Sequence, residues 1–211
     1  MTIEKISRMN EIMISVLTVV YLHFLWMLFS LVGLGIFGVG PASYAMMKYY
    51  DRWLRLKERP PITKSFVLFF KERYRQSLLF SWIYLVIVSM IAVNLFATAS
   101  WYIQVANVLI LIVIQFIFTH VYTIMAATKF KTMFEIIRGS ALLGLGYLHY
   151  SILAWTLLIG GYVLLGIYFP AILIFAGAGL AGLILAYPGK LILQTWTPTE
   201  ETETELKEML V

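Results

Sequence analysis

Three long stretches of this chain, 12–47, 76–128 and 139–189, contain no Asp, Glu, Lys or Arg. A helix needs about 20 apolar residues to cross a hydrocarbon layer of about 30 Å. In lipid the backbone must satisfy its own polar groups, which leaves helices or closed barrels. The stretches are 36, 53 and 51 residues long, so the first holds one crossing with a remainder and each of the others holds two. The pattern predicts an all-α, polytopic membrane bundle with spans near 12–33, 77–97, 105–127, 141–160 and 164–187. Composition agrees, with 61% apolar residues, 13% charged and a mean hydropathy of +0.86. A soluble domain carries about 25% charged residues, so an ordinary soluble enzyme, a disordered chain and a collagen-like repeat are excluded. The basic residues ahead of the first run resemble a secretory signal. That run is too long and lacks a small-x-small cleavage pattern, so a retained anchor is expected.

The chain has no cysteine, which removes disulfide frameworks, thiolate metal sites and cysteine nucleophiles together. Its net charge of +5 fits the excess of Lys and Arg on the cytoplasmic side of membrane proteins, and no nucleic-acid partner is expected. Nine cations fall between Lys48 and Arg75. Lys129, Lys131 and Arg138 follow the third span and Lys190 the last, while the turns near Ser100 and Gly161 carry no charge. This places the charged connections and the C-terminus in the cytoplasm. Five spans then put the N-terminus outside. The alternative, favoured by Lys5 and Arg8, is a sixth, partial crossing within 34–47 and a cytoplasmic N-terminus.

The segment 41–76 reads as a cytoplasmic amphipathic platform. Gly33, Gly35, Gly38 and Gly40 come in quick succession before Pro41. Glycine is unfavourable inside helices and proline suits the first helical position, so a new helix is expected from Pro41. Ala42, Ala45, Met46, Tyr49, Trp53 and Leu56 share one face, and Lys48, Arg52, Arg55 and Arg59 another. That pattern predicts a helix lying in the headgroup region. Pro60 and Pro61 end it. A second short helix then carries Phe66, Phe70 and Tyr74 beside Lys64, Lys71 and Arg75. The expected partner is anionic lipid headgroups, with docking of a transporter protein as the sharper alternative. The glycines do not form a phosphate loop, because neither Lys-Ser nor Lys-Thr follows and no strand precedes them.

The stretch GIFGVGPASYAMMKYYDRWLRLKERPPITKSFVLFFKERYRQS resembles the signature region of the YesL family of small bacterial integral membrane proteins. The matching corner is Gly38, Gly40, Pro41 and Ala42, followed by Ala45, Trp53, Pro61, Phe66, Phe70 and Ser77. The resemblance covers about 40 residues. It implies a bacterial plasma-membrane protein with a link to carbohydrate uptake, and it supplies no catalytic residues.

No Asp, Glu, Lys or Arg falls inside an expected span, which argues against a proton-driven pump. His23, His120 and His149 lie one per span. Zinc needs three or four converging ligands, so hydrogen bonds to neighbouring helices are expected and no metal or cofactor. The third span carries a polar stripe of Gln115, Thr119, His120 and Thr123, which reads either as interhelical bonding or as the wall of a cavity able to meet sugar hydroxyls. In the fifth span Gly177, Ala178, Ala181 and Gly182 have the spacing of close helix packing, within the bundle or in a homodimer. The tail 197–211 is acidic. Together these features predict a non-catalytic accessory or assembly component linked to carbohydrate uptake. A small transporter or channel subunit is the alternative, and a membrane enzyme the third possibility.

Overall fold

The computed structural model describes residues 3–98 and 100–196; the acidic tail 197–211 lies outside them. Among the described residues the chain is all helical: α1 (Ile3–Val32), α2 (Val39–Leu54), α3 (Ile62–Glu72), α4 (Tyr74–Ala97), α5 (Trp101–Ala127), α6 (Met133–Gly146), α7 (Leu148–Tyr168) and α8 (Pro170–Trp196). Five of these, α1, α4, α5, α7 and α8, are long and apolar enough to cross a membrane.

Helix α2 corrects the expectation of an interfacial helix. It packs against α1, α3, α4, α5 and α8, and Gly40, Pro41, Ala42, Tyr44, Ala45, Met46, Met47, Tyr49 and Tyr50 are buried. Its apolar face meets protein, not lipid. The corner ahead of it explains how the chain gets there. Leu34 and Gly35 take positive φ (54° and 74°), and Gly35 N–H bonds to Ser30 O at 2.8 Å. A Cβ on Gly38 would stand 2.5 Å from Phe29 O, and one on Gly40 would stand 2.7 Å from Ser77 O. Only bare backbone allows this reversal.

The contacts fix the direction of each helix. Trp26 Nε1 donates to Ser43 Oγ at 3.0 Å, near the start of α2. Tyr50, near its end, donates to Gly179 O at 2.7 Å, where Val19 of α1 also packs. Helices α1 and α2 are therefore antiparallel. Gly40 faces Ser77 and Ser81 while Lys48 meets Glu72, so α3–α4 also opposes α2. Hence α1 runs parallel to α4, and α2 turns back through the bundle. At 16 residues it is about 24 Å long, a partial crossing. The five long helices agree with the expected number of spans, but the expected opposed N-terminus is corrected: the start of α1, the ends of α2, α5 and α8, and the start of α4 all lie at one charged end. Single cysteines at positions 8 and 131 are therefore expected to react with a membrane-impermeant maleimide from the same side, and one at position 98 from the other. Opposite labelling of 8 and 131 would contradict the fold.

The last two spans are also shifted from expectation. Residues 141–146 belong to α6, which opens at a capping box. Thr132 accepts from Glu135 N–H, and Glu135 accepts from Thr132 N–H. The Thr132 hydroxyl, then the backbone bonds, hold the Glu135 carboxyl below its usual range. Its contribution is present at neutral pH and fades as pH falls through that lowered value. Gly160 and Gly161, expected near a turn, lie inside α7 with open space around them. The turn comes at Phe169, because Pro170 occupies the first position of α8, where its missing N–H costs nothing.

Candidate functional site

Because α2 is short, it leaves a cavity of about 320 Å³ between α1, α2, α4, α5, α7 and α8. Its walls include Trp26, Ser43, Ser81, Tyr84, Gln115, Thr119, Tyr122 and Trp155, and no charged side chain. The polar groups are held in a chain. Trp155 Nε1 donates to Thr119 Oγ1 at 3.1 Å, Thr119 donates to Gln115 O at 2.6 Å, and Tyr84 OH donates to Gln115 Oε1. With its oxygen engaged, the Gln115 amide N–H₂ has no hydrogen-bond partner among the described residues. Gln115 is half-buried, and these two donors face the cavity wall, where they suit an acceptor-bearing ligand. Aromatic faces from Trp26, Trp155 and Tyr84 supply flat apolar walls.

The expected stripe is divided by this geometry. Gln115 and Thr119 line the cavity. His120 is fully buried elsewhere, with Nε2 2.9 Å from Ser151 Oγ. Since Ser151 donates to Gly144 O, the imidazole carries its proton on Nε2, and Nδ1 is left without a partner. Thr123 packs against Gly189 of α8. The division follows from α5 touching different helices on adjoining faces, α4 and α8 on some and α6 on another.

The small residues of α8 are covered by this same chain. Gly182 faces Met46 and Tyr50, Gly177 O accepts from Tyr162 at 2.6 Å, and Ala178 and Ala181 reach the cavity. His23 joins α1 to α8: Ala178 N–H donates to Nδ1 at 3.1 Å, and Nε2 lies 2.9 Å from Ile174 O. These two backbone groups are partners in an ideal α-helix, so the imidazole bridges one rung of the ladder. His149 is exposed and stacks near Tyr150. Among the described residues no group of three or more His, Asp or Glu is placed to hold a metal.

The cationic residues do not form one platform. Lys48, Arg52 and Arg55 line a pocket at the charged end, whereas Arg59, Lys64, Lys71 and Arg75 are exposed outside it. Arg55 grips Asp51 through two bonds, 2.6 and 2.8 Å, and this contact holds its guanidinium above the ordinary range. Sequence reasoning missed Trp26, Ser43, Tyr84 and Trp155 as cavity residues. Tyr84 turns inward to the cavity, while its neighbour Trp82 packs on Phe37.

These features define a helical membrane protein organised around a re-entering central helix and an uncharged cavity between the helices. Residues 19–95, from α1 through α4, match the family described as "Protein of unknown function, DUF624". The chain is 35% identical to the uncharacterized protein YesL of Bacillus subtilis (strain 168) over 71 residues, 34% of each chain. It is also 27% identical over 166 residues to the uncharacterized protein YteU of the same organism, covering 76% of this chain and 73% of YteU. No solved structure matches.

Proposed function

We propose that the chain is a non-catalytic accessory component of carbohydrate uptake in the bacterial plasma membrane, binding an uncharged, hydroxyl-bearing solute in the cavity beside α2. The observation that supports this reading is the lining: free amide donors from Gln115, hydroxyls and indole faces, and no charge. Sugars combine hydroxyl groups with flat apolar ring faces, and this wall suits both. The positive-inside rule places the charged end, with both helix termini, in the cytoplasm. Partner docking then falls on that end.

Trp26 and Trp155 report on the cavity directly. Titration with neutral mono- and disaccharides is expected to shift tryptophan emission, and Gln115→Leu to weaken the response about 10-fold, equivalent to about 1.4 kcal/mol. An unresponsive parent protein across the sugar panel sinks the solute reading. Recovery of no transporter on affinity purification in mild detergent counts against the accessory role. A transporter or channel subunit is the second reading, favoured by the convergence of all five long helices on the cavity. It requires sugar flux in proteoliposomes that Gln115→Leu abolishes.

A further inference from the structure

The pocket at the charged end is built differently from the cavity. It has a volume of about 450 Å³ and forms where the last turns of α2, the α3–α4 junction and the link after α5 meet. Its lining holds six cations (Lys48, Arg52, Arg55, Arg73, Lys129 and Lys131) and two carboxylates, Asp51 and Glu72. Both carboxylates are engaged. Asp51 is held by Arg55, and Glu72 takes Lys48 on both oxygens. Arg52 lies over the Phe69 ring at 5.3 Å, and its ion pair with Glu58, at 3.5 Å between two exposed groups, is worth little. Arg73 gives one N–H to Met125 O at 3.3 Å. Lys129 and Lys131 make no ion pair among the described residues.

A surplus of four positive charges thus faces one concavity from three separate elements. Helix α5 ends here, and one cation beside its last carbonyls is accounted for by the helix dipole. Arg73 fills that role, which leaves Arg52, Lys129 and Lys131 as the cations that neither a carboxylate of the pocket nor the dipole accounts for. The positive-inside rule asks for cations at this end but not for their convergence; Arg59, Lys64, Lys71 and Arg75 obey it while lying outside the pocket. Like charges gathered around one concavity raise the local concentration of anions there. Arginine forks match the oxygens of phosphate, and a doubly charged phosphate neutralises more of the surplus than a single carboxylate does.

We propose that this pocket binds a phosphate group, presented either by an anionic lipid headgroup or by a free phosphorylated small molecule. The site is separate from the uncharged cavity, and its test does not depend on sugar binding there.

Full-length protein in phosphatidylcholine nanodiscs is titrated with inorganic phosphate and with glucose 6-phosphate while its unfolding midpoint is followed. In parallel, nanodiscs mixing phosphatidylcholine with phosphatidylglycerol are analysed by native mass spectrometry for retained lipid. A saturable rise in midpoint assigns the site to free phosphate. Selective retention of phosphatidylglycerol assigns it to the headgroup. In whichever arm responds, Lys129→Gln with Lys131→Gln is expected to lower affinity at least ~10-fold, and Arg73→Gln to do the same. The pair Lys64→Gln with Lys71→Gln removes equal charge outside the pocket and is expected to change nothing. The double lysine variant lies on an exposed link, and its unfolding midpoint without ligand verifies that it folds. No response in either arm overturns the proposal, and so does an equal loss in the control pair.

Discussion

Replacing Gly40 by valine is expected to abolish recovery of a monodisperse protein, whereas valine at Gly161 leaves yield and melting unchanged. A Cβ at position 40 would stand 2.7 Å from Ser77 O and from Ser81 Cβ. The first is backbone of α4 and cannot swing away as a side-chain tip does. Overpacking in a well-filled core costs about 1–3 kcal/mol, and a rigid backbone on one side puts Gly40→Val at the top of that range or above it. Gly161 has nothing within 4 Å of its Cβ position. Size-exclusion profiles of the two variants in one detergent make the comparison, and a well-behaved Gly40→Val protein would show that α2 does not sit against α4.

Asp51→Ala is expected to be the most damaging charge removal in the chain. The Asp51 and Arg55 side chains are only 8% and 14% exposed, so the alanine variant strands a guanidinium inside the bundle. Breaking such a pair from one side costs about 3–5 kcal/mol. The double variant Asp51→Leu with Arg55→Met removes both charges and is expected to recover most of that loss, since a paired ion couple and apolar groups of similar volume are often near-equal in stability. Thermal unfolding of the three proteins decides this. Equal melting of parent and Asp51→Ala would mean that water reaches the pair freely.

The number of long helices was legible because lipid excludes charge locally: 12–47, 76–128 and 139–189 announce themselves without any knowledge of neighbours. The placement of α2 was not. In water an apolar stripe marks the side turned to protein, but beside lipid the same stripe fits an acyl layer as well as Met125 or Phe66. Ala42, Ala45 and Met46 therefore gave the right face and the wrong neighbour. One clue was present. Asp51 stands four residues before Arg55, a pairing that neutralises a helix about to be enclosed. The glycine pair at 160–161 misled because glycine in lipid-facing α7 costs little, while Pro170 gave the stronger signal for a turn. In the cavity, Gln115 and Thr119 were legible as polar positions in an apolar helix. Trp26 and Trp155 were hidden because an aromatic residue in an apolar span does not show which face it turns to its neighbours, and Ser43 by the assignment of its helix to the surface.

The helix at the centre of the bundle also dictates the order of biogenesis. With Lys48, Asp51 and Arg52 in its last seven residues, α2 has only its first nine residues free of charge, too few to span a hydrocarbon layer alone. The surfaces that receive it, on α5 and α8, leave the ribosome long after it does. The enclosure of α2 therefore closes only once α8 has been made, so the protein's interior is completed last.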